Sequence, residues 1–216
     1  MKFVVNDPNF SVIMPGGCNA NCGFCFYKYN PRTEISFQKW LIAVETAIRL
    51  LPKEFTQISI TGGEPTLNPK TLESTLQIVR KRFNKIVLTT NGSMLSKKIC
   101  EIVSKGLVDY INISRHSHDQ NDNDSIFHTP TANKRQLKAF VDFCHIKGVP
   151  VNINCVINQK LSQVKMVDFC KEIQAYSIKF RNIARDSFEL DKINNIPLEE
   201  GITRYKSLYK ERTQNL

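Results

Sequence analysis

Apolar and polar positions along this chain follow two periods that take turns. Phe10 to Met14 is a short apolar run that stops at Pro15-Gly16-Gly17, the pattern of a strand entering a turn. Behind Ser36, the residues Phe37, Trp40, Leu41, Val44, Ala47, Ile48 and Leu51 recur at helical spacing, an amphipathic stripe closed by Pro52. The pair of patterns then repeats. Strands are predicted at 57–61, 85–90, 110–114, 151–157 and 177–182, and helices at 69–83, 95–105, 133–147 and 162–176. Gly106 and Gly148 stand where C-capping glycines belong. The stretch 115–130 is polar, carries His116, His118 and His128, and reads as one long loop.

Six strands alternating with helices predict parallel βαβ units. The expected fold is α/β, a partial six-stranded (β/α)6 barrel of TIM type, open on one side and covering residues 1–182. Residues 183–216 form a charged C-terminal extension with a short helix expected at 197–212. In such barrels chemistry gathers where the C-terminal ends of the strands meet.

Composition narrows the class. The chain has 216 residues, enough for one domain with a substantial core, and is 41% hydrophobic and 23% charged, as soluble globular proteins are. The stretch from Met1 to Pro15 has no continuous apolar core of the signal-peptide kind, and no window reaches the roughly 18–20 apolar residues of a spanning helix. A cytoplasmic location without membrane association is therefore expected. Thirty basic and twenty acidic residues give a net charge of +10, a field that favours anionic partners. A nucleotide or a phosphorylated metabolite fits that field; a nucleic acid is compatible but not specifically indicated.

Seven cysteines in a reducing compartment read as metal ligands and core residues. Cys100, Cys144, Cys155 and Cys170 lie in periodic apolar segments and are expected in the core. Cys18, Cys22 and Cys25 differ. Their C-x3-C-x2-C spacing lies within eight residues of a loop that directly follows the first strand. Three thiolates so placed suit three irons of a [4Fe–4S] cube and leave the fourth open. The competing readings of the loop are three buried thiols or a zinc knuckle, although zinc sites usually show paired C-x2-C units. Thr61-Gly62-Gly63-Glu64-Pro65 closes the second strand, and its side-chain-free centre lets backbone lie against a ligand.

With an aromatic residue beside the third cysteine (Phe24 and Phe26 here) and the Gly-Gly-Glu-Pro motif some 37 residues further on, the chain resembles the radical S-adenosylmethionine superfamily from about residue 10 to 182. The resemblance implies a [4Fe–4S] cluster on Cys18, Cys22 and Cys25 in the 16–30 loop, with S-adenosylmethionine chelating the open iron. It implies cofactor contacts from Phe24, Gly62, Gly63, Glu64, Thr90, Asn91, Ser114 and Asn154, with Glu64 fixing the turn. It also implies an electron donor of flavodoxin or ferredoxin type, reductive cleavage to a 5'-deoxyadenosyl radical, and hydrogen abstraction from a substrate.

Within the superfamily the chain most resembles the GTP 3',8-cyclase branch of molybdenum-cofactor synthesis, in Ile60 to Pro65, Leu88 to Gly92, Val108 to Ser114 and Val151 to Asn154. Ser59 and Asn152 stand where that branch has an arginine and a lysine that grip GTP, and its second-cluster cysteines have no counterpart up to Leu216. After Ser114 the chain reads Arg115-His116-Ser117-His118-Asp119 instead of Leu-Asp. Arg115, His116 and His118 are accordingly the expected catalytic or substrate-binding group at the barrel mouth. There they would hold a phosphate or carboxylate of an anionic, nucleotide-like small substrate, or move a proton near neutrality. The alternatives are a macromolecule modifier (glycyl-radical activase, peptide- or nucleic-acid-modifying enzyme) and a non-catalytic iron–sulfur carrier or sensor.

Overall fold

A computed structural model describes residues 9–25, 35–159 and 161–181. Phe26 and Tyr27, the loop on to residue 30, Asn182 and the expected extension at 183–216 lie outside the described residues. The elements run β1 (Asn9–Met14), α1 (Phe37–Leu50), β2 (Gln57–Gly62), α2 (Pro69–Arg80), β3 (Lys85–Thr90), α3 (Lys97–Ser104), β4 (Tyr110–Ser114), α4 (Gln120–Phe127), α5 (Lys134–Ile146), β5 (Val151–Val156), α6 (Gln163–Glu172) and β6 (Ser177–Arg181).

All six strands pair in parallel in sequence order, so among the described residues β1 and β6 are the two edges of a curved, open sheet. This is the partial barrel expected from the alternation. Because the strands are parallel, their C-terminal ends share one rim, and the cysteine loop leaves β1 at that rim.

Strand parity divides the side chains. One face presents Ile58, Ile60, Ile86, Leu88, Ile111, Ile113, Val151 and Ile153, all essentially without solvent contact, to apolar helix positions such as Leu72, Leu76, Ile102, Val141 and Met166. The other face presents Ser59, Thr61, Thr89, Asn112, Asn152, Asn154 and Ser177 to the lumen. A buried apolar layer therefore surrounds a polar interior. Cys144, Cys155 and Cys170 are fully buried in that layer, and burial raises all three thiols, those of Cys144 and Cys155 to about 12. Trp40 packs between α1 and α2 and donates to Thr75 Oγ1.

The helices end where capping chemistry ends them. Ser36, Asn68, Asn133 and Ser162 accept from backbone N–H groups in their helices' first turns, and Asn133 forms a full capping box with Gln136. Ser96 is the N-cap of α3, so that helix begins at Lys97 and not at 95. The stretch 115–130 is not a continuous loop: α4 forms within it, capped by Asp119 and ended by His128 in the left-handed region at φ 54°. Its polar residues do structural work, since Asn123 is fully buried and accepts from the His116 and Ser117 backbones.

Arg82 fastens the connection from α1 to β2, donating to the carbonyls of Ile48, Leu51, Pro52 and Phe55 while lying over the Phe83 ring. Hydrogen bonds from a charged donor are each worth about 1.5–3 kcal/mol, offset by the water they replace. Arg82→Ala should lower stability by about 2 kcal/mol, read as a shifted urea midpoint at unchanged slope.

Candidate functional site

The cysteine loop is pinned to the rim at three places, all by short polar contacts. Gly17 O accepts the Glu64 N–H at 2.9 Å, which joins the loop to the end of β2. Asn91 Nδ2 reaches Asn19 Oδ1 at 3.0 Å and Cys18 Sγ at 3.9 Å, while Asn19 Nδ2 donates to Ser93 Oγ, which joins it to the end of β3. Asn21 N–H donates to Phe127 O at 2.8 Å, which joins it to the last turn of α4.

Gly63 is the tight point. A Cβ there would sit 1.7 Å from Gly17 O, so backbone lies directly on backbone, while Gly62 turns at φ 141° with its own Cβ position 2.6 Å from Met14 N. Beside them, the buried Glu64 carboxylate accepts from Thr66 N, Thr66 Oγ1, Thr90 Oγ1 and Asn91 N at 2.6–2.9 Å. Burial pushes its carboxyl upward and the four donors pull it back. Glu64, Thr90 and Asn91 thus brace the rim; Asn91 is also the one of them that touches a cysteine.

Cys18 Sγ accepts from Ala20 N at 3.3 Å as well as from Asn91 Nδ2, and the Cys25 N–H closes a turn onto Cys22 O. N–H groups aimed at sulfur favour the thiolate form that iron requires. Among the described residues no three His, Cys, Asp or Glu side chains converge as the ligands of one ion would. A cube does not ask for that, because it spreads its thiolates over separate corners. Asn154 Oδ1, on the lumen side of β5, is buried without a hydrogen-bond partner, and Ser114 lies beside it in register on β4. These features fit an iron–sulfur loop with a ligand held over the polar lumen.

The group expected at the barrel mouth is divided by the structure. Arg115 points out of the lumen; it is 2% exposed and donates to Ser117 O, Ala132 O and Gln120 Oε1 above the Phe169 ring. One residue beyond Ser114, strand parity turns the side chain outward. Burial lowers its pKa to about 10, and its donors brace the loop before α4. His118 lies on the same outer side.

His116 is buried beneath the cysteine loop. Its ring meets Phe24 edge-on at 5.0 Å and stacks on Phe127 at 4.8 Å. Nδ1 accepts the Val156 N–H at 3.0 Å and so carries no proton there. Burial, with Arg115 adding repulsion, pushes its pKa down to about 4. An imidazole so held exchanges no proton near neutrality; it props Phe24, the neighbour of Cys25.

Lys179 and Arg181, which share the parity of Ser177 on β6, were missed in the sequence. They line the lumen, a cavity of about 510 Å³, together with Lys85 and the hydroxyl and amide groups of β2 to β5. Its described lining holds three cations and no carboxylate. On the strand-start side of Lys179 and Arg181, Ser177 Oγ donates to Asn152 Oδ1 at 2.6 Å and Asn152 Nδ2 to Asn112 Oδ1 at 3.2 Å, a fixed polar ladder with Lys85 beyond it at the start of β3.

A parallel partial barrel with three thiols and a Gly-Gly turn on its C-terminal rim defines an iron–sulfur class of barrel enzyme. The model of the Radical SAM superfamily matches residues 12–171, and the chain belongs to that superfamily. It is 31% identical over 154 residues to a probable GTP 3',8-cyclase of Thermoplasma volcanium, covering 70% of this chain and 45% of that protein. It is 27% identical over 202 residues to an S-adenosylmethionine-dependent nucleotide dehydratase of Lacinutrix mariniflava, covering 84% and 41%. The chain thus spans less than half the length of these relatives. The fold superposes on Streptococcus suis SuiB bound to precursor peptide SuiA with a TM-score of 0.67 at 20% identity, covering 94% of this chain and 46% of that one. The cofactors of the family are a [4Fe–4S] cluster and S-adenosylmethionine. No described helix is long and apolar enough to cross a membrane.

Two expectations follow from these contacts. Gly63→Ala forces the Gly17 carbonyl away, so reconstituted protein should bind far less iron while its thermal unfolding stays near wild type; full iron incorporation would show that the close approach is dispensable. His116 titrates at 6.5 when unfolded and near 4 when folded, so its stabilising contribution is complete above pH 6.5 and is lost as pH falls toward 4. Between those limits the loss is on the order of 3 kcal/mol. Urea unfolding at pH 7 and pH 4.5 should show it in wild type, and His116→Phe, which keeps a ring, should lack that component.

Proposed function

We propose that this barrel acts on an anionic, nucleotide-like small molecule held in the lumen, with Cys18, Cys22 and Cys25 as the cluster ligands. The observation that carries the reading is the lining: Lys179 and Arg181 stand on the rim side of a ladder of amides and hydroxyls, with no carboxylate in the described lining. Cations without counterions favour phosphate, and the Asn152–Asn112 ladder supplies the directional polar contacts that a base or sugar needs. The cyclase and nucleotide dehydratase relatives, whose names carry nucleotide substrates, support the same class.

Bound, the cluster and S-adenosylmethionine supply a 5'-deoxyadenosyl radical able to remove a hydrogen atom from a substrate carbon. The chain's own residues position and shield. Gly62 and Gly63 offer backbone at the rim without side-chain obstruction, and Asn154 Oδ1 is an acceptor facing the lumen for a cofactor or substrate donor. Phe24, backed by His116, closes the site beside Cys25 against water. Lys179, in register with Asn154, and Arg181, in register with Val156, hold the anionic end of the substrate near the rim.

Ser59 and Asn152 stand where the cyclase branch is expected to place its GTP-gripping cations, so the cationic grip here has moved to β6. A nucleotide triphosphate other than GTP is the substrate to try first. Anaerobically reconstituted protein with dithionite and S-adenosylmethionine should release 5'-deoxyadenosine, faster when the right nucleoside triphosphate from a panel is added. Lys179→Ala should leave unstimulated release intact and raise the half-saturating nucleotide concentration about tenfold, as loss of one charge-assisted contact does. Cys22→Ala should abolish both activities together with the cluster's visible absorption. Stimulation by peptides and by no nucleotide would instead support the macromolecule modifier.

A further inference from the structure

The segment from Arg115 to Phe127 has two sides. On one side, His116 and Phe127 seat the cysteine loop. On the other, Arg115, His118 and Gln120 wall a cleft of about 730 Å³ between α5 and α6 that shares no lining residue with the lumen. The cations of this cleft are Arg115, Lys134, Arg135 and Lys165; its acids are Asp168 and Glu172. Both acids are already engaged, Glu172 by Lys134 and Asp168 by Lys171, which stands outside the cleft. Arg135 and Lys165 are exposed on two neighbouring helices and form no ion pair among the described residues. His118 Nδ1 is buried at the cleft wall without a partner.

We propose that this outer cleft is the docking surface for the electron donor, an acidic carrier protein of flavodoxin type whose carboxylates meet Arg135 and Lys165 and reach His118. The proposal rests on the family assignment, since it is the cluster that has to be reduced. One electron leaves the reduced carrier, which is oxidised, and enters the oxidised cluster; no proton or group moves.

Three observations favour a protein face over a small anion. The guanidinium at the cleft floor is 2% exposed and gives three of its five N–H donors to Ser117 O, Ala132 O and Gln120 Oε1, so little of it is open to a lone phosphate. The unpaired charges stand at the rim on separate helices, an arrangement that steers a large charged surface. The site is also close to the cluster ligands. From the cleft floor at Arg115, one peptide link leads to His116, a ring contact of 5.0 Å leads to Phe24, and one further link leads to Cys25. Electron transfer falls off steeply with distance, so a carrier gains by docking on the side of the barrel that this path joins to the loop. The lumen side of the loop, by contrast, is where substrate has to enter.

The test uses the reconstituted protein and a purified acidic flavodoxin. Binding of oxidised flavodoxin, followed by calorimetry, should weaken with rising salt, and the double variant Arg135→Glu/Lys165→Glu should bind about tenfold or more weakly at low ionic strength. With limiting flavodoxin as reductant, 5'-deoxyadenosine release by the variant should fall by a similar factor, while release driven by dithionite stays at the wild-type rate. Unchanged flavodoxin affinity would overturn the proposal, as would an equal fall with both reductants. So would tight binding of inorganic phosphate that is lost in the variant while flavodoxin binding is kept, the mark of a small-anion site. If wild type releases no 5'-deoxyadenosine even with dithionite, it is the reading of the loop as a radical-generating site that fails, and the calorimetry still decides whether the cleft binds the carrier.

Discussion

The rim of this barrel depends on one buried carboxylate. Glu64 ends β2, reaches across to Thr90 and Asn91 at the end of β3, closes its own turn through Thr66, and through its backbone N–H holds Gly17 O in the cysteine loop. A carboxylate taken out of water is costly unless its lone pairs are used, and here four donors use them. The upward push on its pKa records the cost, and the donors record the compensation. Because those donors come from two strand ends, the cost is recovered only when the strands are in register. The Gly62-Gly63 pair next to it then brings two backbones together that any side chain would separate. The same few atoms therefore fix both the sheet at its open end and the loop that carries the three cysteines.

Most of the architecture was legible because each strand alternates sharply. Lys85–Thr90 and Tyr110–Ser114 emerge with the bounds that their patterns mark, and the others differ by a residue or so at an end. Residues on the apolar parity are large aliphatics, and residues on the other parity are polar, which is what a barrel with a wet lumen demands. The helix α4 was illegible for a physical reason: its apolar content is little more than Ile126 and Phe127, and it stands on caps and on Asn123 and Asp124 side-chain bonds, none of which has a period. The grouping of Arg115, His116 and His118 failed at the strand end. Neighbouring residues there face opposite sides, so a run of three unusual residues in sequence became a brace, a prop and a cleft wall. Lys179 and Arg181 hid in plain alternation, because the pattern Ser177-Ile178-Lys179-Phe180-Arg181 does not by itself say which parity faces inward; the pairing of Lys179 with Asn154 does.

Charge is distributed to match this division. Inside, the described lining holds three cations and no carboxylate, two of them on the rim side of a polar ladder that is tied to itself. Outside, ion pairs such as Lys134–Glu172 and Lys138–Asp142 lie on exposed helix faces, where they contribute little to stability and screen readily. The net charge of +10 is thus not uniform decoration. Part of it is held away from solvent, at the buried guanidinium of Arg115, while Lys179 and Arg181 stand exposed at the lumen wall.

Arg115 and His116 show why neighbouring residues with opposite orientations suit a loop that must hold a redox group. A prop that was itself titratable near neutrality would move Phe24 whenever the pH changed; burial and the Val156 N–H keep His116 neutral, so its two ring contacts persist. Arg115 donates to carbonyls and an amide, and its charge is balanced in part by the nearby carboxylates of Asp124 and Asp119. The outward turn of one arginine, dictated by strand parity, therefore stiffens the segment before α4 from outside while keeping that charge out of the lumen.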